Sequence, residues 1–415
     1  MNKLLLLVLA FTVFYNSNAQ TLKLDAILDS ISAKHPIIKM FDAEIRSMDE
    51  AATGARSWMA PQFGFGQFMT PYDVRLWHRE GDIPGMGAIM ISGEQMIPNK
   101  SKLDADEKYM RAMSSVEKEK KNTSINELIS AAKMNYYEWI IMKKKLSILD
   151  QNEKLLELMI KNAEIRYQNS LEKLGSYFKA KAALGNVQNM RLMTEANINE
   201  NRIQLNSLMG RNTLTDFDID TNYQIKDYST IVFENNYFFN TRSDLKVISN
   251  NINLNGLKQE TERQSLKPQF GIRFDNMIGF GKQPMQYTIM GMVKLPMAKW
   301  SSKMNKATIE SLKWKATALQ AEKEVMANEY AGMASEILNE LATKKKQLKL
   351  FDDKIISAFR NNLKAMLLGY EQNTEELFML YDAWEKMYMA QLEYTELLSA
   401  TLQLQVKLER IMEKK

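Results

Sequence analysis

The 415-residue chain has no cysteine, only two histidines and few prolines. Without cysteine there is no disulfide framework, no thiolate metal site and no residue to carry a lipid behind a leader. The histidines are His35 and His78, and no His-Glu-x-x-His, Gly-x-Ser-x-Gly or phosphate-loop pattern occurs. Metal-assisted hydrolysis, serine hydrolysis and nucleotide binding thus lack their residues, so neither an enzyme nor a cofactor is expected. His78, between Trp77 and Arg79 in a polar stretch, reads as a surface residue. Charge of one sign is also scarce: 55 Lys and Arg against 50 Asp and Glu leave a net charge of +5, with the basic residues dispersed among acids. Nucleic acid is therefore a poor candidate partner.

Long apolar runs are missing as well. Beyond the first residues nothing approaches the roughly 18 uninterrupted apolar residues of a membrane-spanning helix, and the mean hydropathy is -0.36. A bundle of transmembrane helices is excluded; a β-barrel, whose strands merely alternate, is not. The one apolar run, Leu4 to Tyr15, follows Lys3 and precedes Ser17-Asn18-Ala19. It reads as a secretory signal over residues 1–19, cleaved after Ala19.

What the chain does contain is a duplication. Trp58-Met59-Ala60-Pro61-Gln62-Phe63-Gly64-Phe65 returns as Ser265-Leu266-Lys267-Pro268-Gln269-Phe270-Gly271-Ile272. At the same offset His35-Pro36-Ile37-Ile38-Lys39 faces Arg242-Ser243-Asp244-Leu245-Lys246 without a gap. A period of about 200 residues is too long for a solenoid unit and implies two copies of a whole assembly. The expected organisation is a first repeat over 20–210, a collar over 211–240 and a second repeat over 241–415. Each repeat orders a helix, two strands, a very long helix, a tyrosine-marked break and a final helix.

Apolar spacing sets the helices. From Thr21 to Ser57 the pattern is helical, with Leu22, Leu24, Ile27, Leu28 and Ile31 on one face, Pro36 starting a second helix and Pro61 ending it. Asn99 to Arg166 has neither proline nor glycine and repeats apolar residues every three or four positions, for example Leu128, Ile129, Ala132, Tyr136, Trp139 and Ile140. A helix of that length extends about 100 Å and must lie along partner helices as a coiled coil. Ser301 to Gly369 repeats it, interrupted at Gly332. By length, Leu171–Met209 with Arg242–Lys267 matches the first long helix, and Thr374–Glu413 with Pro36–Ala60 the second. The tyrosine- and phenylalanine-rich stretch from Asn212 to Asn240 fits neither helical nor strand period and reads as a collar.

The strands are expected at Gln62–Thr70, Gly85–Ser92, Gln269–Ile278 and Tyr287–Leu295, with alternation such as Tyr287, Ile289 and Val293 against Thr288 and Lys294. Four strands cannot close a barrel, and open edges in hydrocarbon leave backbone groups unpaired at several kcal/mol each. Two copies of four strands give eight, a barrel filled by its own side chains, whereas three copies give twelve and leave a passage. A trimer is favoured; a soluble hairpin sheet capping a helical bundle is the competing reading.

The duplicated Pro-Gln-Phe-Gly strands, the Leu205-Asn206-Ser207-Leu208-Met209-Gly210 ending of the first half and the tyrosine-marked helix tips resemble the TolC-like outer-membrane efflux factors. The strand exits Gln95-Met96-Ile97-Pro98-Asn99-Lys100-Ser101-Lys102 and Leu295-Pro296-Met297-Ala298-Lys299-Trp300 are similar to those of the heavy-metal branch. The resemblance covers essentially the whole chain after the signal. It implies a mainly α fold with a membrane β-barrel: a homotrimer sharing a twelve-strand barrel in the outer-membrane lipid of a Gram-negative bacterium, with a helical tunnel in the periplasm. It further implies a periplasmic adaptor at the tips and an inner-membrane pump of the resistance-nodulation-division (RND) type, exporting metal cations or small toxic compounds. The exit channel of a type I protein-secretion system is the alternative within that fold, and a soluble periplasmic coiled-coil scaffold the alternative outside it.

By the same resemblance, Tyr167-Gln168-Asn169-Ser170-Leu171 and Tyr370-Glu371-Gln372-Asn373-Thr374 occupy the adaptor-docking tips, with Ser170 and Asn373 in place of the family's glycines. Asparagine tolerates a left-handed turn better than serine does. Asp382 matches an aspartate that narrows the family's tunnel entrance. Met379 stands where a second acid is usual, and Glu375 and Glu376 are further gate candidates that also read as helix-start acids. Many heavy-metal relatives carry a cysteine for lipidation after the signal; this chain has Ala19-Gln20 there.

Methionine is abundant, with 29 residues. Met86, Met90 and Met96, and Met285, Met290, Met292 and Met297, offer thioethers of the kind copper(I) takes; the same residues also read as adaptable filler of seams and apolar surfaces. The triplets Lys143–Lys145 and Lys344–Lys346 recur at corresponding places and read as solvated faces or partner contacts.

Overall fold

The computed structural model describes residues 21–169 and 172–414. The expected signal and its Ala19 cleavage point lie outside the described residues. In chain order the elements are β1 (Thr21–Leu22), α1 (Leu24–Lys34), α2 (Pro36–Thr53), β2 (Gln62–Phe68), β3 (Ala88–Ile97), α3 (Lys100–Gln168), α4 (Leu174–Leu208), β4 (Asp218–Ile219), α5 (Asn235–Thr241), α6 (Ser243–Ser265), β5 (Gln269–Gly279), β6 (Gln286–Lys294), α7 (Lys299–Leu350), α8 (Ile356–Glu371) and α9 (Leu377–Met412). The chain divides into two compact units. A helical unit takes the described part of Met1–Met40 with Lys121–Arg242 and Ala327–Lys415; a sheet unit takes Phe41–Lys120 and Ser243–Met326.

The 69-residue α3 is uninterrupted because nothing in it breaks a helix. Asn99 caps it, its side chain accepting from Ser101 N at 2.9 Å. In the helical unit its buried residues Leu149, Asn152, Leu156, Met159 and Ala163 recur at alternating spacings of three and four, the seam of a left-handed coiled coil. Ala180, Val187, Thr194 and Asn201 of α4, and Ala327, Ala334, Leu341 and Leu348 of α7, are buried at every seventh position. Gly332 does not break α7, since a glycine in a helix costs only about 1 kcal/mol and the flanking Ala327 and Ala334 are wholly buried. The departure falls instead at Phe351–Ile355, a π-helical turn between α7 and α8.

The helical unit has two apolar cores. One joins Ile27 and Ile31 of α1, Tyr136, Trp139 and Ile140 of α3, Leu205 of α4, Phe217 and Ile219 of the 211–240 segment, and Leu398 and Leu402 of α9. The other joins Leu149, Leu156 and Met159 of α3, Ala183 and Val187 of α4, Tyr370 of α8 and Leu377, Leu380 and Trp384 of α9. Asn152 ties this second core with its polar groups: its carbonyl accepts from Trp384 Nε1 at 2.9 Å and its amide donates to Gln391 Oε1 at 3.1 Å.

The segment over 211–240 is fastened by polar anchors. Thr21–Leu22, expected to be helical, pairs in parallel with Asp218–Ile219. Tyr136 donates to Asp220 O at 2.7 Å, and burial, followed by the charge of Asp220, pushes its pKa up to about 12. Three lysines of the two triplets make contacts here, while Lys346 is exposed. Lys143 pairs with Asp218, Lys144 lies 5.7 Å from the Tyr223 ring centre, and Lys345 donates to Lys226 O at 2.8 Å. Deeper in, the buried Glu409 of α9 accepts from Lys133, Lys226 and Tyr228. Burial alone would raise its pKa, but those three donors outweigh it and hold the carboxyl below the usual carboxylate range.

The end of α4 shows why Leu205–Gly210 reads as punctuation. Gly210 takes a left-handed φ of +64, Arg211 N bonds back to Asn206 O at 3.2 Å, and the Asn206 amide donates to Thr213 O and Thr215 O. A turn that needs φ > 0 selects glycine.

The sheet unit is built on an antiparallel sheet in the order β2-β3-β5-β6, so each half contributes one hairpin and β3 and β5 join them. The second strand runs Ala88–Ile97, not Gly85–Ser92. Gly93, Glu94 and Gln95 have little strand propensity, but the register opposite Phe274, Arg273 and Ile272 of β5 extends the strand through them. The loop from Thr70 to Pro84 is ordered by a short 3₁₀ turn at Val74–Trp77, where Trp77 stacks on Phe280 at 5.2 Å and donates to Pro71 O at 2.8 Å. His78 in that loop is exposed.

Candidate functional sites: the helix tips and the polar face of the sheet

The tips belong to the helical unit. At the second, Asn373 adopts a left-handed φ of +59, the conformation expected of an asparagine in a glycine's place. Gly369 O gathers the turn, accepting from Thr374 N at 2.9 Å, Thr374 Oγ1 at 3.0 Å and Glu375 N at 3.2 Å. Gln372 N closes on Leu368 O at 3.0 Å. Gly369 leaves room for this, since a Cβ there would meet Glu375 Cγ at 2.6 Å. Tyr370 is buried, and burial pushes its hydroxyl up.

At the first tip, Asn169 ends α3 by bonding back to Ile165 O through its side chain at 2.8 Å, and Tyr167 is exposed. Ser170 and Leu171 lie outside the described residues. Arg166, which sequence reasoning missed, joins the two tips. Its Nη1 donates to Tyr370 O at 3.0 Å and to Asn373 Oδ1, and its guanidinium lies 4.5 Å from the Tyr370 ring centre. A cation in the last turn of α3 was the available signal. Beside it Lys173 faces Glu376 at 3.9 Å, and Arg166, Glu172, Lys173, Asn373, Glu375 and Glu376 line an open cleft of about 320 Å³.

Past the turn, Met379 is exposed and Asp382 is half-buried. Asp382 pairs with Lys386 one helical turn on, at 2.8 Å. Glu375, Glu376 and Asp382 therefore stand close together in sequence on the tip and on the first turns of α9, two of them already facing lysines.

The sheet has two unlike faces. Residues paired across the strands fall alternately to opposite sides, so the register fixes membership. One face carries Phe63, Phe65, Ile91, Phe270, Ile272, Phe274, Tyr287, Ile289 and Val293, all exposed. The other carries Ser92, Glu94, Arg273, Asp275, Thr288 and Lys294, with Arg273 donating to Asp275 at 2.9 Å. Met90, Met96, Met290 and Met292 all lie on this polar face, joined by Met277 of β5. Met86, Met285 and Met297 lie outside the strands and are exposed.

A sheet with one exposed apolar face, built from one hairpin of each half of the chain, and long helices with coiled-coil seams are features of the TolC-like fold of outer-membrane factors. Solved structures with this fold include the outer-membrane channel OprN, with a TM-score of 0.75 and 11% identity over 94% of this chain and 90% of that one. The outer membrane protein VceC of Vibrio cholerae matches with a TM-score of 0.74 and 12% identity, over 94% of this chain and 96% of its own. CusC, described in terms of folding and transmembrane channel formation, matches with a TM-score of 0.75 and 9% identity over 98% and 96%. No protein-family model and no curated protein sequence matches the chain.

Proposed function

We propose that this chain is the outer-membrane channel of a tripartite efflux system: a passive duct, not an enzyme, that exports metal cations or small toxic compounds across the Gram-negative outer membrane. The observation that carries this reading is the sheet's exposed apolar face together with its two open edges, β2 and β6, which have no partner strand among the described residues. Hydrocarbon covers the face, and the edges of identical neighbours cover one another; three copies of four strands give the twelve-strand barrel. The likeness to solved outer-membrane channels supports the same reading. The tips, with Tyr167, Asn169, Ser170 and Leu171 on one side and Tyr370, Gln372, Asn373 and Thr374 on the other, dock a periplasmic adaptor that couples the duct to an inner-membrane RND pump. Asp382, Glu375 and Glu376 supply negative charge at the entrance.

The test is a detergent-solubilised mass read together with conductance in planar bilayers. A trimer that conducts ions supports the duct; a monomer soluble without detergent overturns it. Asp382→Ala is expected to raise single-channel conductance or weaken cation block, and an unchanged conductance and cation response removes Asp382 from the gate.

A further inference from the structure

The methionines of the sheet are not distributed as apolar filler. Every strand methionine, Met90, Met96, Met277, Met290 and Met292, lies on the polar face with Glu94, Arg273 and Asp275, while every strand isoleucine and valine lies on the opposite face. Filler belongs with the isoleucines and Val293, where apolar surface is to be covered. A thioether on the water-facing side contributes instead a soft, uncharged ligand.

The methionines also converge. Register places Met96, Gly271 and Met292 side by side on β3, β5 and β6. A Cβ at Gly271 would meet Met96 Sδ at 2.5 Å and Met292 Cε at 3.1 Å, so both side chains fold into the space the glycine leaves. Met290 stands two residues from Met292 on the same face, and Glu94 two residues from Met96. Arg273, opposite Glu94 in the register, has its charge met by Asp275. Glu94 makes no ion pair among the described residues and leaves negative charge beside the thioethers.

We propose that this face binds a soft monovalent cation, copper(I) or silver(I), between Met96 and Met292 over Gly271, with Met290 and Glu94 beside it. The proposal rests on the reading of the polar face as the channel lining. Rotation about the terminal bonds of Met292 turns its sulfur toward Met96, giving the low-coordinate thioether pair that these ions accept.

Silver(I) as its nitrate, in chloride-free buffer, is titrated calorimetrically into the detergent-solubilised full chain. Met96→Leu with Met292→Leu keeps side-chain volume and removes both sulfurs; Met193→Leu with Met304→Leu removes two exposed helix thioethers as a control. The expected result is that the strand pair weakens the tightest site about tenfold or more while the control leaves it unchanged, and that X-ray absorption shows silver–sulfur scattering lost only in the strand variant. Silver binding that survives the strand substitutions, or that falls equally in both variants, overturns the site. Potassium conductance of the same samples separates the two readings: a conducting wild type without the silver site sinks this inference alone, and a non-conducting trimer sinks the channel reading.

Discussion

In the helical unit Leu149, Leu156, Leu377 and Leu380 are wholly buried, and even the charged Lys133 and Glu409 are enclosed and paired. In the sheet unit Phe63, Phe65 and Tyr287 stand 80%, 79% and 71% exposed, and two strand edges are left open. Each helix satisfies its own backbone and buries one stripe within the chain, although helix residues such as Leu192 and Met193 stay exposed. A four-stranded sheet satisfies neither its edges nor its outer face. The difference locates the backbone edges and the continuous apolar face that the chain cannot cover by itself.

The sharpest way to break the comparison is to spoil the enclosed helical core from within. Glu409→Ala leaves Lys133 buried without its carboxylate and is expected to cost about 3–5 kcal/mol, read as a lowered thermal midpoint by circular dichroism. The same residue sets an acid limit. Its folded pKa lies below the reference 4.5, so its contribution is complete above that pH and is lost as pH falls through the lower folded value. Glu409→Gln is expected to flatten the stability loss below about pH 4.5, the reference carboxyl value. An unchanged acid profile would remove Glu409 from the stabilising core.

The second prediction acts on the incomplete unit. Ile272→Arg puts a charge on the apolar face and is expected to cost about 2–4 kcal/mol per chain at mid-membrane depth, seen as lost trimer in outer-membrane fractions. Thr288→Arg, on the polar face, is expected to leave assembly intact. Equal behaviour of the two variants would mean that neither face meets lipid.

Smaller effects belong to the tips. Arg166→Ala removes the charged hydrogen bonds to Tyr370 O and Asn373 Oδ1, worth about 1.5–3 kcal/mol; faster amide exchange across Leu368–Glu376, with the core unchanged, is the expected reading. Asn373→Ala strains a left-handed residue by about 1 kcal/mol, and Asn373→Gly is expected to be neutral. A tip indifferent to all three variants would show that Arg166 does not hold the two turns together.

Much of this was legible beforehand because its causes are local. The absence of glycine and proline between Asn99 and Arg166 gives α3, alternation gives β5 and β6, and an asparagine in a glycine's place gives the left-handed turn at 373. The misplacements have non-local causes. The second strand extends through Gly93-Glu94-Gln95 only because β5 lies opposite, Thr21 and Leu22 leave the helical pattern only because Asp218 and Ile219 pair with them, and Gly332 stays helical because its neighbours sit in a seam. Lys143, Lys144 and Lys345 look like solvated charge until Asp218, Tyr223 and the main-chain carbonyl of Lys226 meet them.

The sequence by itself determined the course of the first long helix and the presence of strands that alternate, because periodicity and backbone freedom are properties of neighbouring residues; the helix from Pro36 stops at Thr53, well before Pro61. Tertiary structure alone decided that Arg166 ties one tip to the other, that Glu409 is held by three donors, and that the strand methionines share the polar face with Glu94 and Arg273. Those arrangements depend on register and packing between segments far apart in the chain, and no local pattern fixes a register.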